Sequence, residues 1–128
     1  METIIIIPVD RVVSSDESTS NELTQVEHKV LCLLKEDCKA NIILIYNSSA
    51  CKEVKSSLDY ALQPNYPNVP VCCYLGSTSL KIVEILTDSG VREAKNIYVV
   101  TKLSTAKYAV QVALAIRDIA IFGNVMVR

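Results

Sequence analysis

Five short apolar runs, separated by amphipathic stretches, constrain the fold of this chain more than any other feature. The runs occupy residues 4–7, 42–46, 71–75, 97–100 and 125–127, and most are continuous rather than alternating. Strands that are apolar on both sides are typical of a parallel sheet covered by helices on both faces. Because the chain has one Phe and no Trp, its core is expected to consist mainly of Ile, Val and Leu.

The stretches between the runs have helical periodicity, with apolar residues every three or four positions. Each of the four stretches therefore predicts a helix with one inward face. The predicted inward faces are Leu23, Val26, Val30, Leu31 and Leu34 in the first; Cys51, Val54, Leu58, Ala61 and Leu62 in the second; Leu80, Val83 and Leu86 in the third; and Ala106, Ala109, Val110, Ala113 and Ile116 in the fourth. The last helix is predicted to run to about residue 121.

Strands and helices thus alternate along the whole chain, which begins and ends on a strand. This order predicts an α/β fold, a three-layer Rossmann-like domain with a five-stranded, mainly parallel sheet and four helices. A length of 128 residues, half of them hydrophobic, fits one domain spanning residues 1–128. Pro8 is expected to close the first strand, and residues 9–21 are expected to form a long polar loop.

Composition excludes several classes of protein. Charged residues make up 21% of the chain and the formal net charge is −1, which excludes a disordered chain and argues against bulk binding of DNA or RNA. The apolar runs fall well short of the roughly 20 residues that a membrane-spanning helix needs. With no leader pattern at its start, the chain is predicted to be intracellular and cytoplasmic, without membrane contact.

Cysteine and histidine usage predicts neither a metal site nor a cofactor. The chain has five cysteines and one histidine, His28, and no CxxC spacing, so no zinc site is expected. The adjacent Cys72 and Cys73 are expected to be buried as small hydrophobic residues. Nucleophilic catalysis of the Ser/His/Asp or Cys/His type is not expected with the one histidine inside a helix.

Open α/β sheets bind ligands beyond the carboxyl ends of their strands, where the strand order reverses. If the order is 3-2-1-4-5, the first and fourth strands flank that switch point. The loops after the strands supply polar candidates for a binding site. These candidates are Asp10, Arg11, Ser14 and Ser15 after the first strand, Asn47 and Ser48 after the second, and Thr101, Lys102, Ser104, Thr105 and Lys107 after the fourth.

The segment of residues 101–107 is the most informative of these loops. Hydroxyls and free backbone N–H groups at the start of a helix suit a phosphate, and Lys107 would add a full positive charge. The segment is not a P-loop, and the chain has no GxGxxG motif. The alternative interpretation is that Ser104 is a helix cap and that Lys102 and Lys107 are simply solvated.

The same segment resembles the CARF (CRISPR-associated Rossmann fold) family. In that family a strand runs into a turn of the form T-x-G-T-K, followed by an alanine-rich helix and a short strand; residues 97–107, 109–119 and 125–128 are similar. Upstream, residues 42–49, 66–70 and 80–86 look like the sensor half of archaeal CARF–winged-helix regulators. The resemblance covers about residues 40–128, with Leu103 and Ser104 in the region of the family glycine.

The resemblance implies a homodimer that binds a cyclic oligoadenylate second messenger across its two-fold axis. By position, the family's ligand contacts would fall on Asp10, Arg11, Ser14 and Ser15 and on Thr101, Ser104, Thr105 and Lys107. Some members cleave the ring without a metal, and Ser14 or Ser15 with Lys107 would be the catalytic residues here. Because no effector domain is expected within 128 residues, the implied roles are those of a sensor, a sink, a slow ring nuclease or a module that acts through a protein effector.

Two other functions remain open on the sequence. The chain could be a ligand-free Rossmann-like module for protein interaction or structure, of host or viral origin, because a fold does not determine a function. It could also be a receiver-like phosphate-binding domain that uses Asp10 and the turn of residues 101–105.

Overall fold

A computed structural model describes residues 3–10, 17–48, 51–121 and 123–128 of the chain. Strands and helices alternate along them as the sequence predicts. In chain order the elements are β1 (Thr3–Val9), α1 (Glu17–Glu36), β2 (Asn41–Tyr46), α2 (Cys51–Leu62), β3 (Val71–Leu75), α3 (Ser79–Asp88), a 3-10 turn (Val91–Glu93), β4 (Asn96–Val99), α4 (Ala106–Ile119) and β5 (Asn124–Val127). The predicted α/β, three-layer Rossmann-like fold is confirmed.

The five described strands form one parallel sheet in the order β3-β2-β1-β4-β5. The chain moves outward from β1 through β2 to β3, then returns to the other side of β1 for β4 and β5. Because crossovers between parallel strands are right-handed, this reversal places α1 and α2 on one face and α3 and α4 on the other. The order of the strands therefore reverses between β1 and β4.

Every residue of β1 is buried, which explains its unbroken apolar run. Side chains alternate across the strand, so Ile4 and Ile6 pack in the core beneath α3 and α4. Ile5 and Ile7 pack in the opposite core, beneath α1 and α2. A central strand of this kind needs branched aliphatic residues on both faces.

Two predicted boundaries near the first loop are wrong. β1 does not end before Pro8 but continues to Val9. The hydrogen-bonded register with β4 stops at Ile6, so the missing N–H of Pro8 costs no bond on that side. α1 begins at Glu17, so residues 17–21, which were expected to belong to the loop, are helical.

The inward faces of α3 and α4 also differ from the prediction. In α3 the buried residues are Ile82, Ile85 and Leu86, whereas Leu80 is 72% exposed. In α4 the predicted face is correct at Ile116, which is buried, but wrong at Ala106 and Val110, which are exposed. The α4 side chains that reach the core are those of Tyr108, Val112, Ala115, Ile116 and Ile119.

The cysteines are less buried than expected. Cys72 is exposed and Cys73 half-buried, because β3 is an edge strand covered on one side only. Cys32 and Cys38 are exposed, and none of these four cysteines is in a disulfide. None of the described helices has the length and the hydropathy needed to cross a bilayer.

Candidate functional site

The switch point predicted from the sequence is present at the carboxyl edge of the sheet. β1 and β4 are neighbours in parallel register, and both end at this edge. Asp10 directly follows β1, while the turn of residues 101–105 follows β4 and leads into α4. The two loops that the sequence singled out therefore lie next to each other.

Asp10 and Thr105 join these two loops. The Thr105 backbone N–H donates to Asp10 Oδ1 over 2.6 Å, and the Thr105 hydroxyl donates to Asp10 Oδ2. The backbone N–H of Asp10 donates in turn to the carbonyl of Leu103 at 3.2 Å. Three hydrogen bonds thus fix the end of β1 to the start of α4.

Thr105 is also the N-cap of α4. Its backbone is extended, and its hydroxyl oxygen accepts from the N–H of Tyr108 at 3.4 Å. This is the usual role of threonine at a helix start. Asp10 therefore places its carboxylate against the amino terminus of α4, where the helix dipole favours a negative charge.

The rest of the turn separates into inward and outward side chains. Ser104 is buried, and its hydroxyl donates to the Thr105 carbonyl at 2.8 Å. Thr101 is half-buried, whereas Lys102 and Lys107 are exposed. The cap of α4 is therefore Thr105 and not, as the alternative interpretation predicted, Ser104. The two lysines supply positive charge on the open side of the turn.

The loops after β2 and β3 complete this edge. The N–H of Asn47 donates to the Val9 carbonyl at 3.0 Å, and the Asn47 and Ser48 side chains are exposed. The N–H of Gly76 donates to the Tyr46 carbonyl at 2.9 Å. Asn47 and Ser48 thus lie on the side of Asp10 away from the Thr105 turn.

Tyr108 is a residue of this edge that the sequence did not reveal. Its side chain is buried, and its hydroxyl donates to the Gly76 carbonyl at 2.7 Å, linking α4 to the loop after β3. The sequence signal for this role was the position of Tyr108 in the first turn of α4. A tyrosine that is buried there needs a hydrogen-bond partner for its hydroxyl.

Three of the predicted site residues, Arg11, Ser14 and Ser15, lie outside the described residues. The catalytic pairing of Ser14 or Ser15 with Lys107 therefore stays a prediction. Within the described ranges, no group of three or more His, Cys, Asp or Glu side chains is arranged to hold a metal ion.

A cavity of about 510 Å³ lies at the opposite, amino-terminal edge, between the end of α2 and the loop before β3. Asp59, Tyr60 and Tyr66 are among its lining residues. None of the candidate residues contributes to it, so it is separate from the polar edge described above.

Comparison of the chain with protein-family models, with curated proteins and with solved structures finds no match.

Proposed function

We propose that this chain binds a cyclic oligoadenylate at the carboxyl edge of β1 and β4, as a homodimer that shares the ligand between two copies. The observation that supports this proposal best is the Asp10–Thr105 contact. It fixes a polar, hydroxyl-bearing turn and the start of a helix at the point where the strand order reverses. Ligands of open α/β sheets bind at such a point.

The charges at this edge assign different parts of the ligand to different residues. The Asp10 carboxylate would repel a phosphate but can accept a hydrogen bond from a ribose hydroxyl. The exposed Lys102 and Lys107 would bind the phosphates, since an ammonium group offsets the negative charge of a phosphate. Asn47 and Ser48, on the other side of Asp10, would offer amide and hydroxyl groups to a base or a ribose.

A thermal-shift experiment tests this proposal. We expect cyclic tetra-adenylate to raise the melting temperature, because a ligand that binds only the folded state stabilises it. Lys107→Ala is expected to abolish the shift. Lys39→Ala serves as the control, because Lys39 is exposed and lies at the opposite edge beside Ala40 and Pro70. The absence of a shift with every ring size tested would rule out the proposal.

A ring-cleavage assay distinguishes a sensor or sink from a ring nuclease. Slow, metal-independent cleavage would need the ribose 2′-hydroxyl in line with its phosphate, which positioning and charge can supply. We expect Ser14→Ala, Ser15→Ala or Lys107→Ala to reduce that cleavage. A ligand that binds and stays intact would identify a sensor or a sink instead.

The ligand-free interaction module is the second candidate, and one observation favours it. Asp10 already satisfies the Thr105 N–H that a phosphate at the start of α4 would use. In that case no cyclic oligoadenylate shifts the melting temperature and a protein partner is required. The receiver-like alternative predicts a response to Mg²⁺ or an acyl phosphate, and inertness to both would remove it.

A further inference from the structure

The outer side of β3 is an open hydrogen-bonding edge of the sheet. β3 is the last strand in the order, and it pairs with no described strand except β2. Natural proteins usually block such edges with charged side chains, prolines or bulges. The five residues of β3, Val71–Leu75, include neither a charge nor a proline. This edge can therefore accept a further strand.

The bonds to β2 show which backbone groups of β3 face outward. β2 donates to the Pro70 carbonyl at 3.0 Å and accepts from the Gly76 N–H at 2.9 Å. Residues of a parallel strand alternate between bonding to the neighbour and facing away from it, so positions 70, 72, 74 and 76 face β2. The N–H and C=O groups of Val71 and Leu75 therefore face outward, and no described residue bonds them.

Two cavities lie along this edge, on the side of the sheet that carries α3. Their volumes are about 210 and 240 Å³, and Tyr74 and Asp88 line both of them. Tyr74 pairs in register with Ile45, which belongs to the core beneath α3 and α4, so its side chain points to that side. A strand added beside β3 would point every second side chain to the same side, toward the two cavities. We name this edge and its two cavities the β3 groove.

Asp88 gives the β3 groove its charge. The charged residues that line the two cavities are Lys81, Glu84 and Asp88. Lys81 Nζ lies 3.6 Å from Glu84 Oε2, so these two charges offset each other. Asp88 is exposed and has no ion-pair partner among the described residues, and Arg92, four positions later, forms no ion pair with it. The groove is therefore complementary to a ligand that carries a positive charge.

We infer that the β3 groove binds an extended segment of a partner protein, which adds to the sheet as a further strand and carries a lysine or arginine that faces Asp88. Main-chain bonds to Val71 and Leu75 hold the segment, and its alternate side chains enter the two cavities. The inference goes beyond the proposed function, because β2 separates this edge from β1 and β4 and no nucleotide takes part.

A second copy of this chain is a poorer occupant of the β3 groove. Two β3 strands paired antiparallel about a two-fold axis through their centres would join the two sheets, with both grooves on the same side. The Asp88 carboxylates of the two copies would then face the same short stretch of paired strands. β3 itself offers no cation to either of them, and like charges placed in this way disfavour the pairing.

The first test measures binding by fluorescence anisotropy. The probe is a fluorescein-labelled peptide of alternating threonine and valine with one central lysine, and a second peptide has glutamate in place of the lysine. We expect saturable binding of the lysine peptide and weaker binding of the glutamate peptide. Asp88→Asn should weaken binding of the lysine peptide by about two- to five-fold, the range for an exposed ion pair. Asp88→Lys should reverse the preference between the two peptides.

Asp118→Asn is the matched control for charge, because Asp118 is exposed on α4 and lines neither cavity. It should leave the affinity for the lysine peptide unchanged. Failure of the lysine peptide to bind overturns the inference. Binding that is indifferent to Asp88→Asn and to Asp88→Lys overturns it as well, because charge then does not select the partner.

The second test locates the peptide by amide hydrogen exchange. Saturating lysine peptide should slow exchange at Val71 and Leu75, whose N–H groups gain partners. The N–H groups of Val125 and Val127 are the control, because Asn124 and Arg128 bond to β4 and the residues between them alternate. These amides, on the opposite edge strand, should exchange at an unchanged rate.

Two results of this second test would contradict strand addition at β3. One is a bound peptide that leaves exchange at Val71 and Leu75 unchanged. The other is a peptide-free chain that is dimeric by sedimentation and already protected at both amides, because a second copy then occupies the edge. Neither result bears on cyclic oligoadenylate binding, which the thermal shift measures without peptide, so this inference and the proposed function can fail separately.

Discussion

At the scale of single residues, the Asp10–Thr105 contact combines two roles. It caps α4, and it fastens the first strand to the fourth across 95 positions of sequence. A hydrogen bond to a charged group contributes more than one between neutral groups, by about a factor of two. The contact is partly exposed, so its effect on stability is expected at the lower end of the usual range.

Removing either side chain should reveal this coupling. We expect Asp10→Ala and Thr105→Ala each to lower the free energy of unfolding by about 1 to 2 kcal/mol. The double variant should lose less than the sum of the two, with a coupling of about 1 kcal/mol, because the two residues share one contact. Urea denaturation of the four chains measures this.

The control for that cycle is the N-cap of α3. The Thr78 hydroxyl accepts from the N–H of Lys81 at 3.2 Å, and no carboxylate of the described residues bonds it. Thr78→Ala should cost about 1 kcal/mol, and its effect should add to that of Asp10→Ala. If the losses caused by Asp10→Ala and Thr105→Ala were also strictly additive, the contact between these residues would contribute nothing to the free energy of unfolding.

At the scale of elements, Gly76 and Gly123 mark close approaches at the two ends of the sheet layer. A Cβ on Gly76 would lie 2.8 Å from Ile45 Cγ2 and 2.9 Å from Ile82 Cγ1. A Cβ on Gly123, in the connection from α4 to β5, would lie 2.6 Å from the backbone oxygen of Ala94. The first clash is with side chains that can rotate, whereas the second is with the backbone.

This difference predicts an order of stability. Gly76→Ala and Gly123→Ala should both destabilise the chain, by about 1 to 3 kcal/mol for overpacking. We expect Gly123→Ala to have the larger effect, because the Ala94 carbonyl cannot move without shifting the start of β4. Thermal and urea unfolding of both variants measure this order, and a smaller loss for Gly123→Ala would contradict it.

α4 shows why sequence periodicity identified the elements but not all of their faces. Residues 106, 109 and 113 are alanines at helical spacing, and Val112, Ile116 and Ile119 share a second face at the same spacing. When a helix is apolar on most of its circumference, period alone cannot choose the buried side. The buried side in the structure includes Tyr108, whose hydroxyl donates to the Gly76 carbonyl in the loop after β3.

For the candidate site too, the sequence predicted the location but not the individual contacts. Short polar segments after the strands, together with the strand order, identified the loops of Asp10 and Thr105. The individual bonds could not be read from the sequence, because the two residues are far apart in the chain and meet only through the packing of β1 against β4. Asp10 was expected to face a ligand, but in this structure its carboxylate is bonded to Thr105.

At the scale of the whole molecule, the sheet is protected unevenly. β1 is hydrogen-bonded on both sides and buried along its whole length. Among the described strands, β3 at one edge is bonded only to β2, and its residues are exposed or half-buried. Strands with this difference in environment open with different free energies.

Amide hydrogen exchange should follow that difference. We expect the slowest exchange in the β1 segment of residues 4–7, where opening requires global unfolding. Amides of β3 should exchange faster, through local opening of the edge. Equal protection in β1 and β3, measured residue by residue under native conditions, would show that the sheet opens only as a unit.

The central place of β1 also affects how the chain folds during synthesis. β1 leaves the ribosome before the other four strands, and its neighbour β4 begins at Asn96, roughly ninety residues later. Chains are synthesised at about 5–20 residues per second. The edge of β1 that pairs with β4 therefore stays without its partner strand for seconds. Such a β-branched, uncharged segment is prone to pair with other chains. The sequence that gives the sheet its best-protected strand is therefore also the one that most needs shielding in the nascent chain.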